Sequence, residues 1–170
     1  MKHSKTIKNQ KTDKIPNTKK LVIWGIVQGV GFRPFVFRCA EKNHICGTVR
    51  NMGGSVEIVA RAGKQDFDAF VNDLQTDNSG NWEIINIQIN DLEDTKYRDF
   101  KIINSSPDEQ AAIIPSDLCI CQSCREELEN PADRRFQNPF ISCMSCGPRY
   151  SIIEELPYDR HTTAMKEVAL

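Results

Sequence analysis

Several absences narrow the possibilities. No apolar run approaches the roughly 20 residues needed to cross a bilayer. The N-terminus has no apolar stretch of the kind that forms the core of a secretory leader. Neither sign of charge dominates: 22 Lys and Arg face 23 Asp and Glu, for a net charge of -1. That balance gives no general electrostatic case for nucleic acid or a membrane surface. No internal repeat is visible. What remains, 39% hydrophobic and 26% charged residues over 170 positions, fits a chain of one or two small globular domains. Seven cysteines is an odd number, and four of them form two C-x-x-C pairs. This pattern points to thiolates on a metal in a reducing, cytoplasmic setting, not to a disulfide framework.

Hydrophobic periodicity divides the chain. Residues 1–19 are lysine-rich and polar and read as a disordered basic tail. Lys20 to Val27 reads as a strand, and Arg33 to Asn43 as a helix. Gly47 to Met52 and Ser55 to Arg61 read as strands joined by a Gly53-Gly54 turn. Phe67, Phe70, Val71 and Leu74 recur at helical spacing in Lys64 to Gln75. Trp82 to Asp91 alternates Ile85, Ile87 and Ile89 with polar residues, as a strand does. Arg98 to Ile103 offers one more. The order is β-α-β-β-α-β, the ferredoxin-like α+β plan, over residues 20–105. Residues 106–117 read as a linker, 118–150 as a small cysteine module and 151–170 as a short C-terminal segment.

The segment Val27-Gln28-Gly29-Val30-Gly31-Phe32-Arg33-Pro34 joins the first strand to the first helix. Its glycines permit a tight turn, and the N–H groups of a loop entering a helix make a ready anion site. Pro34 suits the first helical position and pushes the preceding Arg33 into the loop. There the Arg33 guanidinium can grip two phosphate oxygens. The loop lacks the Lys-Ser/Thr end of a nucleotide phosphate loop and the third glycine of a dinucleotide fingerprint. On these residues alone, a plain strand-helix turn with an exposed arginine stands equally well. Asn51 lies eighteen residues after Arg33, just before the Gly53-Gly54 turn. It suits a turn-former, or an amide holding a water beside a bound anion. His44 reads as a surface or packing residue, not a general base.

Cys121-x-x-Cys124 and Cys143-x-x-Cys146, eighteen residues apart, have the spacing of a closed four-thiolate zinc site. Such sites are structural, and metal binding and folding are then one equilibrium. Cys119 is an extra thiol that could compete as a ligand, and His161 could substitute for one. Cys39 and Cys46 read as core. Arg134, Arg135 and Arg149 could form a phosphate or nucleic-acid patch, but the acidic run Glu126-Glu127-Leu128-Glu129 favours internal pairing.

Val27 to Arg33, taken with Gly47-Thr48-Val49-Arg50-Asn51, resembles the acylphosphatase signature at that family's spacing. The resemblance implies a small ferredoxin-like enzyme that cleaves acyl phosphates without a metal. It would bind phosphate on Gln28, Gly29, Val30, Gly31, Phe32 and Arg33, with Asn51 positioning the water. Pro34-Phe35, the two C-x-x-C pairs, Asp133 to Phe136, Asn138-Pro139-Phe140, Gly147 to Tyr150 and Leu156-Pro157-Tyr158-Asp159-Arg160 together resemble the HypF family of hydrogenase-maturation carbamoyltransferases. That implies carbamoyl phosphate as substrate and other maturation proteins as partners, through domains that the chain lacks. The family carries further C-x-x-C pairs, then ATP-using and transferase domains. The chain is therefore expected to be an N-terminal piece, or the product of a truncated frame, that does not transfer carbamoyl groups by itself. Whether the four cysteines form one site or await a second motif is left open by their spacing. Two other readings stand beside the hydrolase: a non-catalytic zinc-stabilised docking or substrate-delivery module, and a zinc-dependent nucleic-acid binder.

Overall fold

The structure is a computed structural model that describes residues 16–106, 119–143, 146–147 and 150–167. Most of the expected tail and linker, and Arg149, lie outside these residues. Five strands make one sheet: β1 (Asn17–Ile26), β2 (Cys46–Met52), β3 (Ser55–Ala62), β4 (Glu83–Leu92) and β5 (Phe100–Ile102), in the order β4-β1-β3-β2-β5. All neighbours are antiparallel except β2 and β5. Helices α1 (Phe32–Lys42) and α2 (Lys64–Thr76) follow β1 and β3. This is the ferredoxin-like α+β architecture, with a four-cysteine module after it. Among the described residues no helix is long and apolar enough to cross a membrane.

The alternation of the strands decides where the core lies. Leu21 and Ile23 of β1, Val49 of β2, and Val56 and Ile58 of β3 are fully buried, as are Val36 of α1 and Phe70 of α2. They form one cluster between the sheet and the helix pair. Each such side chain contributes about 1.5–3 kcal/mol through burial. The opposite face is polar at its centre, where Glu57 takes ion pairs from Lys20 and Arg50, both at 2.7 Å.

Three details depart from the sequence reading. The first strand begins at Asn17, inside the expected tail. The helix α1 begins at Phe32, so Arg33 stands in its first turn and not in the loop. Pro34 is then the third helical residue, a position tolerated because the first four helical N–H groups have no intrahelical partner. The third is β4. Its pairing with β1 shifts between Trp24 and Gly25, leaving Ile85 as an extra residue. Ile84 and Ile87 therefore pack on the core, while Ile85 is 63% exposed.

The two helices are tied by one polar junction. Asn43, the C-cap of α1, donates from Nδ2 to the Cys39 carbonyl (2.9 Å) and to Asp73 of α2 (2.8 Å). Lys42 reaches the same carboxylate at 3.0 Å. The Asn43 amide, then Lys42, holds the Asp73 carboxyl below its ordinary range. Burial, then the Asp73 charge, pushes the Cys39 thiol up to about 11, as befits a core cysteine. Asp73→Ala is expected to cost about 1–2 kcal/mol in urea unfolding. Because the folded-state value is lowered, this difference should be full above the ordinary carboxylate range and shrink as pH falls through the lowered value. A pH-independent difference would contradict the assignment.

Candidate active site

The β1–α1 connection is built by two residues with positive φ, Gly29 (72°) and Gly31 (77°). Any side chain in that left-handed region is strained, so glycine lets the chain double back directly into the helix. Gly31 is the N-cap of α1, and its carbonyl accepts from Phe35 N–H at 3.1 Å. The loop is pinned from below by Val27, Val30 and Phe32, each at most 2% exposed. Phe32 and Phe35 in turn pack on Trp82, with the Phe35 and Trp82 rings stacked at 4.3 Å. Val30 and Phe32 can thus offer a bound anion only their main chain. The Gln28 side chain is committed elsewhere, donating to the Gly53 and Ser55 carbonyls at 2.8 and 3.0 Å. It holds the loop against the β2–β3 hairpin.

Arg33 rises from the first turn of α1 over this loop. One terminal nitrogen donates to Ser105 Oγ at 3.3 Å and the other to Asp159 Oδ1 at 2.8 Å. Asn51, on the helix-facing side of β2, is fully buried. Its Nδ2 donates to the Tyr158 carbonyl at 3.4 Å, and its Oδ1 has no hydrogen-bond partner. Arg33 and Asn51 therefore both reach one stretch of chain, Tyr158-Asp159. A cleft of about 380 Å³ opens there, lined by Gly29, Gly31, Arg33, Tyr158, Asp159 and Arg160 among others. His44 is exposed beyond the other end of α1, roughly 16 Å of helix away from Arg33.

Sequence reasoning did not assign Ser105, Tyr158, Asp159 or Arg160 to this site. Ser105 arrives because the chain beyond β5 keeps running beside β2: Ser106 N–H donates to the Asn51 carbonyl at 3.0 Å. Tyr158 and Asp159 arrive from residues 151–167, which fold back so that Tyr158 N–H donates to Gln28 Oε1 at 3.1 Å. The signal available was the Leu156-to-Arg160 motif, which sequence alone gave no location.

The four expected ligands also come together. The sulfurs of Cys121, Cys124, Cys143 and Cys146 all lie within 4.8 Å of one another. Neighbouring pairs are 3.6 Å (Cys121–Cys143) and 3.8 Å (Cys143–Cys146 and Cys124–Cys146) apart. Cys121 caps helix α3 (Gln122–Glu129), which places Cys124 on its first turn. The Cys143 N–H points at Cys146 Sγ, 3.3 Å away. Burial and the three neighbouring sulfurs push Cys124 up to about 12. Burial acts the same way on Cys146, but the backbone N–H groups of Cys121 and Cys143, joined by the Cys143 and Cys124 thiols, together bring it down to about 6. Four sulfurs gathered this closely from two C-x-x-C pairs form a donor set that suits a metal ion. Cys119 is exposed, and neither it nor His161 belongs to the cluster. Arg135 pairs with Glu127 and donates to the Ser142 carbonyl at 3.1 Å, the internal pairing expected of it.

Comparison with known proteins agrees with both halves. Residues 19–102 match the acylphosphatase family model and residues 120–153 match the HypF finger. A protein of Methanocaldococcus jannaschii described as a probable carbamoyltransferase HypF is 44% identical over 144 residues, covering 83% of this chain and 19% of that one. An acylphosphatase of Staphylococcus haemolyticus is 36% identical over 86 residues, covering 50% of this chain and 97% of that enzyme. The crystal structure of full-length HypF in its phosphate- and nucleotide-bound form superposes with a TM-score of 0.80 at 40% identity, covering 90% of this chain and 20% of that one. The chain thus spans about a fifth of the length of the carbamoyltransferases it matches. It belongs to the acylphosphatase family, and it joins that fold to a HypF finger, the pairing of the N-terminal region of HypF carbamoyltransferases.

Proposed function

We propose that the chain hydrolyses acyl phosphates at the β1–α1 loop, with carbamoyl phosphate as its substrate. One observation carries this reading. A buried, unpartnered amide oxygen on Asn51 and the Arg33 guanidinium converge beside the N-terminus of α1. A buried acceptor without a partner costs about 1–3 kcal/mol, which a bound water would recover. The loop N–H groups and helix N-terminus suit the phosphoryl oxygens, and Arg33 adds a forked charge-assisted grip. Asn51 holds water alongside. Water attacks phosphorus, the P–O bond to the acyl group breaks, and a carboxylate or carbamate leaves with inorganic phosphate. An acyl phosphate is already activated, so positioning and charge stabilisation suffice. The similar full-length HypF structure is itself described as phosphate- and nucleotide-bound.

The four thiolates would hold zinc. About 2.3 Å per Zn–S bond in a tetrahedron requires sulfurs about 3.8 Å apart, and the neighbouring pairs meet this at 3.6 and 3.8 Å. With every position taken by cysteine, the ion is structural. Among the described residues its module has only Cys124, Ile141 and Cys146 as a buried apolar cluster, too little to hold without a staple. By extension from the relatives, hydrolysis here would be the opening step of carbamoyl transfer in [NiFe] hydrogenase maturation, alongside other maturation proteins.

The purified chain is expected to release phosphate from carbamoyl phosphate or acetyl phosphate without added metal. Arg33→Ala should lower kcat/KM by about 10²–10³, the loss typical of one oxyanion donor. Asn51→Ala should lower kcat without weakening inhibition by inorganic phosphate. Carbamoyl phosphate binding in a calorimeter with no phosphate release would favour the docking or delivery role instead. Elemental analysis should find roughly one zinc per chain. Cys124→Ser should abolish it and expose residues 119–147 to protease while the ferredoxin-like core still melts cooperatively.

A further inference from the structure

The cation assigned to the substrate phosphoryl group is already occupied by part of the same chain. Asp159 Oδ1 sits 2.8 Å from the Arg33 guanidinium, with the two side chains only 18% and 23% exposed. The second terminal nitrogen of Arg33 is turned to Ser105 Oγ at 3.3 Å. Both arms of the fork are therefore engaged before an anion arrives.

The carboxylate is built into its place and does not hang there loosely. Asp159 is the N-cap of a one-turn helix, Arg160–Thr162, with a reciprocal capping box between Asp159 and Thr162. Thr162 Oγ1 also donates to the Pro157 carbonyl at 2.8 Å. Two main-chain groups of Tyr158, its N–H on Gln28 and its carbonyl on Asn51, fasten the same turn across the loop. A bridge between Ile153 and Thr163, with Ala164 N–H on the Ile152 carbonyl at 2.8 Å, ties the turn back to the residues that follow the finger.

We propose that Asp159 is an internal competitor of the substrate for Arg33, and that it sets the affinity of the site for phosphoryl anions. The inference rests on the reading of Arg33 as the phosphate-binding residue. A carboxylate and a phosphoryl dianion cannot share one guanidinium in a partly buried cleft without strong repulsion. Substrate binding therefore requires Asp159 to leave Arg33 and the Tyr158–Thr162 turn to move off the loop. Anion affinity is reduced by the fraction of molecules in which the turn is docked. By linkage, a bound anion must loosen the turn to the same degree.

The test uses the full chain, with inorganic phosphate as the probe. Asp159→Asn and Asp159→Ala are both expected to lower the calorimetric Kd for phosphate at least tenfold, and to lower KM for acetyl phosphate. In the unmodified chain, saturating phosphate should speed amide hydrogen exchange at Asp159, Thr162 and Thr163. Unchanged or weaker phosphate binding in both variants, or slower exchange at those amides, would overturn the proposal and leave Asp159 as a residue that positions Arg33. Arg33→Ala separates the two readings. If it abolishes phosphate binding while the Asp159 variants gain nothing, only the competitor fails. If it binds phosphate as the parent does, the phosphate-site reading fails with it.

Discussion

A partly buried guanidinium at the start of a helix is the constraint around which this molecule is arranged. Arg33 stands where unpaired backbone N–H groups already concentrate positive potential. Such a place demands a negative partner. The rest of the site consists of the means to hold that potential in position: two glycines that bend the main chain, apolar residues that nail the loop to the core, and Gln28 clamping it to the hairpin. The Phe35–Trp82 stack behind the loop keeps the first turn of α1 from shifting. In this structure the cation holds a carboxylate of its own chain, Asp159; under the proposal above a phosphoryl group would compete for it.

Much of this was legible before any coordinates. The fold could be read because its strands alternate and its second helix repeats cleanly at 3.6 residues. The four ligands were legible because C-x-x-C spacing has few other uses. The misreadings have local physical causes. Pro34 was assigned to the first helical position, its commonest one, but Gly31 starts the turn early enough for Pro34 to sit two residues deeper without losing a hydrogen bond. The alternation of Ile85, Ile87 and Ile89 looked regular because a bulge is invisible in sequence; it emerges only when β1 and β4 are laid side by side. Ser105 and Asp159 could not be placed because their roles depend on a parallel pairing at the sheet edge and on a return of the chain 126 residues after Arg33.

The finger and the ferredoxin-like fold obey different energetics. The ferredoxin-like core encloses a continuous apolar cluster drawn from every strand but β4 and from both helices. Among the described residues the finger's apolar cluster is only Cys124, Ile141 and Cys146, two of them members of the cysteine cluster itself. Its few buried residues leave its order to a shared ion on the four sulfurs, as proposed above, while the core's comes from surface removed from water. Both nevertheless face the same cleft region: Cys143 and Gly147 share a cavity with Gly29 and Tyr158.

The sequence spans of these contacts also order events in time. Cys121 and Cys143 close a loop of only 22 residues, and β2 and β3 meet across a two-residue turn. Arg33 and Asp159 are joined only after both ends of the molecule have taken shape. Short closures cost the least chain entropy and are reached soonest. A nascent chain therefore completes the β1–α1 loop well before Asp159 emerges, and passes through a stage in which Arg33 lacks that partner.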